Sequence, residues 1–183
     1  VIGRSNGPIP SRAGGTPGDA LWVVGTLGDA SAGLAMLKDD AEAEGPLVEA
    51  YRRPVPQLAA GRLLAPYATA MMDISDGLLL DASRICAASG CSAAIMLDAL
   101  PLSRAYIAER GAGRRARTAA ATGGDDYALL AALPADFDPL GLSLPPGTIL
   151  ACIGELAGGE GLKLSDAAGE VPLPEHLGYE HRA

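Results

Sequence analysis

Two carboxylates and a hydroxyl stand close together in the segment Asp73-Ile74-Ser75-Asp76-Gly77-Leu78. An apolar run precedes this segment and a helical pattern follows it, which places it at a predicted strand-to-helix junction. Such oxygen atoms are the ligands that Mg²⁺ prefers, and free N–H groups at a helix start favour a bound phosphate. A capped helix is the alternative, because Ser and Asp are common N-cap residues. Spacing alone leaves both interpretations open, although two nearby like charges are hard to explain by capping.

A second acidic segment, Gly123-Gly124-Asp125-Asp126-Tyr127, combines two glycines with two carboxylates. Glycine allows the backbone to approach a ligand closely, so the segment is consistent with a turn that faces a ligand. An ordinary β-turn is the competing interpretation, because Asp is favoured in turns of every kind. A third segment, Gly25-Thr26-Leu27-Gly28-Asp29, lacks the GxGxxG spacing of a dinucleotide loop.

Other common nucleotide and hydrolase motifs are absent from the sequence. There is no P-loop, since neither lysine stands in a Gly-Lys-Ser/Thr sequence. A bound nucleotide would need arginines, such as those of the first residues or of Tyr51-Arg52-Arg53-Pro54. Arg52 and Arg53 could equally form ion pairs with the acidic residues at 39–44. His176 and His181 have no Ser or Cys partner, so a Ser–His–Asp hydrolase is unsupported.

The elements that must position these segments alternate between strands and helices. Asp29 or Ser31 is expected to cap the first helix, and Gly90 to end the fourth. The fold class is therefore α/β, with α+β character, and a mixed β-sheet of about four to six strands flanked by helices. Apolar runs predict strands over residues 21–25, 69–74, 93–97, 127–133 and 148–154 with an edge hairpin at 162–171, and helical spacing predicts helices over 29–37, 47–51, 57–67, 77–88 and 103–109.

The composition limits the possible classes of function. With 183 residues the chain can build one sizeable core, and its 4% aromatic content leaves Ala, Leu, Val and Ile to fill it. A net charge of −8 argues against a nucleic-acid partner and against a basic membrane-binding helix. No apolar run reaches the roughly 20 residues of a transmembrane helix, so no membrane partner is expected. Cys86, Cys91 and Cys152 lack paired spacing, and we interpret them as small buried residues in a reducing cytoplasm.

Taken in order, these segments resemble one family. The resemblance is to the C-terminal domain of thiamine-monophosphate kinases, within the aminoimidazole ribonucleotide synthetase superfamily. The Asp-Ile-Ser-Asp-Gly-Leu segment is fairly specific, because relatives such as selenophosphate synthetase carry different residues there. The matching residues extend over nearly the whole chain and are Arg12, Pro17-Gly18-Asp19, residues 23–29 and 32–34, Arg53-Pro54-Val55-Pro56 with Gly61, and residues 73–78, 100–103, 123–127, 153–154 and 178–181.

The resemblance implies an ATP-dependent phosphorylation of thiamine monophosphate to thiamine diphosphate in the cytoplasm, with Mg²⁺ as the metal. No general acid or base is assigned, because the acceptor is a phosphate oxygen that is already anionic near neutral pH. Phosphoryl transfer depends mainly on positioning and charge neutralisation. The resemblance implies that Asp73 and Asp76 bind the metal. It implies that Ser75 and Arg12 contact ATP, and that Asp125 and Tyr179 contact the substrate.

The chain departs from the family pattern near two of these residues. Arg12 is followed by Ala13-Gly14-Gly15-Thr16, where the family often has Ser-Gly-Ala. In the acidic turn, Asp125 stands where Glu is frequent and is one methylene shorter, and Ala128 replaces an acid. These differences bear on the reach of Arg12 to the nucleotide and of Asp125 to the substrate.

The resemblance also implies a domain organisation. Residues 1–19 would be an irregular lead-in from an N-terminal domain outside this sequence, with residues 1–3 ending a strand, and residues 20–183 would be the synthetase-like C-terminal α/β domain. The other domain would carry an acidic metal-binding cluster and the contacts of a homodimer, so the isolated chain would supply half of the site and lack kinase activity. Two alternatives remain open: a related ATP-dependent synthetase of the superfamily, and a non-catalytic nucleotide-binding domain.

Overall fold

The structure, a computed structural model, describes residue 7 and residues 9–180, so the predictions for residues 1–3 and for His181 lie outside the described residues. The strands are β1 (Ala20–Val24), β2 (Ala70–Ile74), β3 (Ser92–Met96), β4 (Ala128–Leu133), β5 (Leu150–Ala157), β6 (Gly161–Asp166) and β7 (Gly169–Val171). The α-helices are α1 (Asp29–Asp39), α2 (Pro46–Arg52), α3 (Leu58–Leu64), α4 (Leu78–Ser89), α5 (Arg104–Arg110) and α6 (Arg114–Thr122). No described helix has both the length and the apolar character needed to cross a membrane.

All these strands form one mixed sheet in the order β2-β4-β1-β5-β3-β6-β7. Neighbouring strands are antiparallel except β3 and β6, which pair in parallel. β6 and β7 form the predicted edge hairpin, with Leu164 opposite Val171. The predicted class, a mixed sheet flanked by helices, is confirmed. The expected upper limit of six strands is wrong, because both strands of the hairpin join the five other strands in one sheet.

Alternation along the strands divides the apolar residues between the two faces of the sheet. Leu21 and Val23 of β1 belong to the main core, together with residues of α1, α4, α5 and α6. Val24 points to the opposite face and belongs to a smaller cluster beneath α3. Tyr106 is the only aromatic side chain among the buried residues of the described core, so small and aliphatic side chains fill it as the composition predicts.

Helix α4 agrees with its prediction within one residue at each end. Its buried face contains Leu78, Ala82 and Ile85, and Gly90 ends it in the left-handed conformation at φ 66. At its start, the N-cap position is held by Gly77 at φ 123, and no side chain caps the helix there. The capped-helix interpretation of the Asp73 to Leu78 segment is therefore wrong.

Three further expectations differ from the structure. Gly28 holds the N-cap position of α1, so neither Asp29 nor Ser31 caps that helix. Helix α6 has no counterpart among the predicted elements, because its buried residues are alanines and it contains no large apolar side chain, even though Arg and Ala favour helices. Cys86 and Cys91 are buried as expected, but Cys152 is exposed because it alternates with the buried Ile153 along β5.

Candidate functional site

The sheet order brings the three glycine- and acid-containing segments together at one end of the strands β1, β2 and β4. Strands β1 and β2 both pair antiparallel with β4, with Val24 opposite Leu129 and Ile74 opposite Ala128. The residues that follow β1 and β2 therefore meet the residues that precede β4. Separations of about 50 and 100 residues in the chain thus become close contacts in the fold.

A cavity of about 660 Å³ lies at this end of the strands. Asp73, Ser75 and Asp76 reach it from the junction of β2 and α4, Asp125 from the segment before β4, and Tyr179 from the C-terminal segment. Five of the six residues assigned from the resemblance thus line one cavity. The remaining lining residues belong to α1, α2 and the segment before β4, and they are Ala30, Ser31, Leu34, Tyr51, Gly124 and Tyr127.

The segment before β4 is held tightly against the segment after β2. The N–H of Asp125 donates to the Ser75 carbonyl at 2.8 Å. A Cβ at Gly124 would stand 2.7 Å from that same carbonyl oxygen, so only glycine fits there without a backbone shift. Asp125 and Tyr127 have φ values of 68 and 50, a region that non-glycine residues rarely adopt and that is common at ligand-binding sites. This geometry favours the interpretation as a ligand-facing turn.

The C-terminal segment is fastened across the start of α4. The N–H of Tyr179 donates to the Asp76 carbonyl at 2.8 Å, and the N–H of Leu80 donates to the Leu177 carbonyl at 3.2 Å. A Cβ on Gly178 would overlap the Asp76 carbonyl, so the segment approaches α4 as closely as a backbone can. These contacts place the exposed Tyr179 ring at the edge of the cavity.

Two residues that the sequence analysis did not identify organise the same junction. The fully buried carboxylate of Asp81, in the first turn of α4, accepts the N–H groups of Ser75 and Asp76, both at 3.1 Å. The Nη1 atom of Arg84 bonds both Asp76 and Asp81 at 2.6 Å. Burial raises the pKa of Asp81, although these hydrogen bonds act in the opposite direction. The spacing of Asp81 and Arg84 by three helical residues was the available signal.

This arrangement changes the expected phosphate contact. The sequence suggested free N–H groups at the start of α4. In the structure the N–H groups of Ser75 and Asp76 donate to the Asp81 carboxylate, and the N–H of Leu80 donates to the Leu177 carbonyl. The assumption is therefore wrong for these three groups. A phosphate in the cavity depends correspondingly more on side chains and on a cation.

Asp126 faces away from the cavity and fastens α1. Its Oδ2 accepts the N–H of Gly28 at 2.6 Å and its Oδ1 accepts the N–H of Ala30 at 3.1 Å. These bonds satisfy donors at the start of α1 that have no helical partner, which explains how that helix begins without a cap of its own. Burial raises the pKa of Asp126 to about 7, with smaller contributions from Asp29 and Asp125.

The raised pKa of Asp126 predicts a pH-dependent stability. Between its ordinary pKa near 4 and its folded pKa of about 7, the folded state binds more protons than the unfolded state. The free energy of unfolding should therefore fall as pH rises through that window, on the order of 3 kcal/mol. Urea titrations from pH 4.5 to 8 should show this slope, and Asp126→Asn should remove it. The exposed Asp39→Asn control should retain the slope, and parallel curves for all three proteins would contradict the prediction.

Two predicted arginine positions lie away from the cavity. The carbonyl of Arg12 accepts a hydrogen bond from the hydroxyl of Ser89, which lies at the C-terminal end of α4. The cavity lies at the opposite end, at the start of that helix. Arg53 lines a smaller neighbouring cavity of about 190 Å³, which it shares with Asp29 and Asp126. Neither arginine reaches the main cavity as part of its lining.

The donor set of the cavity suits a hard divalent cation. Asp73 and Asp76 offer carboxylate oxygens and Ser75 offers a hydroxyl, which are magnesium ligands. Within the described part of the chain no three His, Cys, Asp or Glu residues form a complete ligand group. Such an incomplete set is typical of Mg²⁺ that is held by one or two carboxylates and completed by phosphate oxygens and water.

Comparisons with known proteins match this chain to one family. The family described as AIR synthase related protein, C-terminal domain, matches residues 16–122. The thiamine-monophosphate kinase of Caulobacter vibrioides is 35% identical over 180 residues, which are 93% of this chain and 50% of that protein. The chain therefore spans about half the length of the curated relatives it matches.

Solved structures give the same result. The crystal structure of thiamine-monophosphate kinase from Stenotrophomonas maltophilia K279a matches with a TM-score of 0.76 and 34% identity, over 85% of this chain and 52% of that one. A structure of AaThiL complexed with AMPPCP and TMP matches with a TM-score of 0.77 and 31% identity, over 94% of this chain and 55% of that one. The resemblance to thiamine-monophosphate kinases and the predicted fold class are thereby confirmed.

Proposed function

The chain belongs to the AIR synthase related protein family as a C-terminal domain, and from that premise we propose that its full-length protein transfers the γ-phosphoryl group of ATP to thiamine monophosphate. The observation that carries the proposal is the convergence of Asp73, Ser75, Asp76, Asp125 and Tyr179 on one cavity. The similarity to thiamine-monophosphate kinases supports the choice of substrate.

Asp73 and Asp76 are the proposed ligands of Mg²⁺, and Ser75 is the proposed contact to the phosphates of ATP. Bound Mg²⁺ would neutralise the charge of the phosphates that meet in the site. That neutralisation matters here because three carboxylates, those of Asp73, Asp76 and Asp125, line the cavity and would otherwise repel a phosphate. In this account the chain's own residues hold the cation and fix the direction from which the phosphates enter.

Asp125 and Tyr179 are the proposed contacts to the acceptor. The thiazolium ring of thiamine monophosphate is cationic and its pyrimidine carries an amino group, so either can approach the carboxylate of Asp125. The exposed ring of Tyr179 offers an aromatic surface beside a cationic or aromatic group. The transfer forms one bond from an acceptor phosphate oxygen to the γ-phosphorus and breaks the bond from that phosphorus to ADP. Because the acceptor oxygen is already anionic near neutral pH, no proton need be removed from it.

The remaining parts of the proposal concern the full-length protein. Arg12 would contact the nucleotide, and a homodimer in the cytoplasm would assemble the complete site, with the residues of this chain forming one wall. Residues 1–19 would connect this domain to the part of the protein that supplies the other wall. The position of the Arg12 carbonyl at the far end of α4 means that its guanidinium would act at a distance from the Asp73 to Leu78 segment.

A turnover panel tests the proposed reaction. The full-length protein, with Mg²⁺ and ATP, should form thiamine diphosphate and ADP in equal amounts from thiamine monophosphate, as followed by ³¹P NMR. Formylglycinamidine ribonucleotide and selenide, offered separately, should cause no consumption of ATP. Turnover of either one instead would identify a related synthetase, and nucleotide binding without any turnover would identify a non-catalytic domain.

A further inference from the structure

Three charged side chains form a connected group beneath the cavity. Asp76 and Asp81 flank the guanidinium of Arg84, and we call these three residues the α4 ion-pair cluster. The exposed fractions of the side chains fall from 35% for Arg84 to 15% for Asp76 and 0% for Asp81. The cluster therefore joins a fully buried carboxylate, Asp81, to the proposed metal ligand Asp76 through the partly exposed Arg84.

Asp81 is the fixed point of the cluster. Its Oδ2 accepts hydrogen bonds from the backbone N–H groups of Ser75 and Asp76, and its Oδ1 accepts a hydrogen bond from Nη1 of Arg84. A buried carboxylate with both oxygens satisfied in this way cannot rotate without breaking several hydrogen bonds. Asp81 thus holds the backbone on which the side chains of Ser75 and Asp76 are carried.

Arg84 connects this fixed point to the cavity. Its Nη1 atom lies 2.6 Å from Asp76 Oδ2 and 2.6 Å from Asp81 Oδ1, so one nitrogen bridges both carboxylates. The two carboxylates would repel each other without the intervening cation. Because the Arg84 side chain is partly exposed, water screens its charge, and its directional hydrogen bonds are the larger effect at Asp76.

We propose that Arg84, anchored on Asp81, is a positioning residue that holds the carboxylate of Asp76 in the direction from which it binds Mg²⁺. This inference rests on the proposed function, because it concerns the same cation site. Outer partners of metal ligands orient those ligands, and their removal commonly weakens metal affinity by about 10–100-fold. Arg84 itself does not line the cavity and contacts neither substrate nor metal in this account.

The test is a metal-binding titration of the full-length protein with AMPPCP, a non-hydrolysable ATP analogue, as the nucleotide. Mn²⁺ is titrated into protein and AMPPCP at constant ionic strength, the heat of a matched titration into AMPPCP alone is subtracted, and calorimetry gives the half-saturating Mn²⁺ concentration of the protein. Arg84→Gln should raise that concentration about 10–100-fold. Arg84→Lys keeps the charge but bridges the two carboxylates less effectively than Arg. It should therefore give a half-saturating Mn²⁺ concentration between those of the wild type and Arg84→Gln. Thermal melts should show that each variant is folded.

Arg114→Gln is the matched control, because Arg114 also pairs with an aspartate, Asp166, but on the exposed surface away from the cavity. It should leave the half-saturating Mn²⁺ concentration unchanged. Unchanged or tighter Mn²⁺ binding in folded Arg84→Gln would overturn the inference, tighter binding showing that the guanidinium opposes the cation. If the wild type itself binds no Mn²⁺ with AMPPCP, the proposed function fails; if only the Arg84 effect is absent, that function stands and the positioning role falls.

Discussion

Replacing either Asp73 or Asp76 by Asn should lower the rate of thiamine-diphosphate formation at least about 100-fold, because each change removes a charged ligand where phosphate charges must be neutralised. Both side chains line the same cavity, so each variant should show the loss independently. Asn keeps the size of the side chain, which separates the loss of charge from a loss of volume. Asp76→Asn also weakens the ion pair with Arg84, so its effect should be at least as large as that of Asp73→Asn.

The assay is steady-state turnover of the full-length protein over a range of Mg²⁺ concentrations. Circular dichroism and thermal melts should show a folded protein for both variants. Asp39→Asn, an exposed aspartate at the end of α1, is the matched control and should turn over like the wild type. Near-normal turnover of both Asp73→Asn and Asp76→Asn would show that neither carboxylate holds the metal.

Substituting Gly124 by Ala should give the second large loss, on the order of 100-fold in turnover, through geometry alone. The added Cβ would stand 2.7 Å from the Ser75 carbonyl, which also accepts the N–H of Asp125. The chain must then move apart at the contact that holds Asp125 beside the metal ligands. Displacements near 1 Å are enough to reduce catalysis by this factor.

Turnover and thermal stability of the Gly124→Ala protein test this prediction together. Gly158→Ala is the control, because a Cβ at Gly158 meets nothing within 4 Å and that residue lies outside the cavity lining. It should leave both quantities nearly unchanged. Wild-type turnover in Gly124→Ala would show that the close contact between the two segments is not needed for the reaction.

Much of the fold follows from hydrophobic periodicity. Helix α4 and strands β1, β2 and β3 lie within one or two residues of their predicted bounds, because each has a strong apolar pattern and a clear glycine or polar boundary. The pattern fails for α6, whose buried residues are alanines rather than large apolar side chains. Pairing order within the sheet has no local signal, so the meeting of the three segments at one end of β1, β2 and β4 was visible only in the structure.

The candidate site was predictable to a similar degree. The segment at Asp73 to Leu78 could be identified by its residue types, and the resemblance supplied the distant Asp125 and Tyr179. The roles of Asp81 and Asp126 could not be predicted, since each carboxylate satisfies backbone N–H groups whose need for a partner arises only in the folded chain. For the same reason, the partners of the Ser75, Asp76 and Leu80 N–H groups could not be predicted from the sequence.

The most direct test of the central claim is an anomalous-diffraction map of the full-length protein crystallised with Mn²⁺, AMPPCP and thiamine monophosphate. We expect a Mn²⁺ peak at about 2.1–2.3 Å from carboxylate oxygens of both Asp73 and Asp76, with the remaining ligands drawn from phosphate oxygens and water. A Mn²⁺ peak that is bound to the phosphates but touches neither aspartate would contradict it.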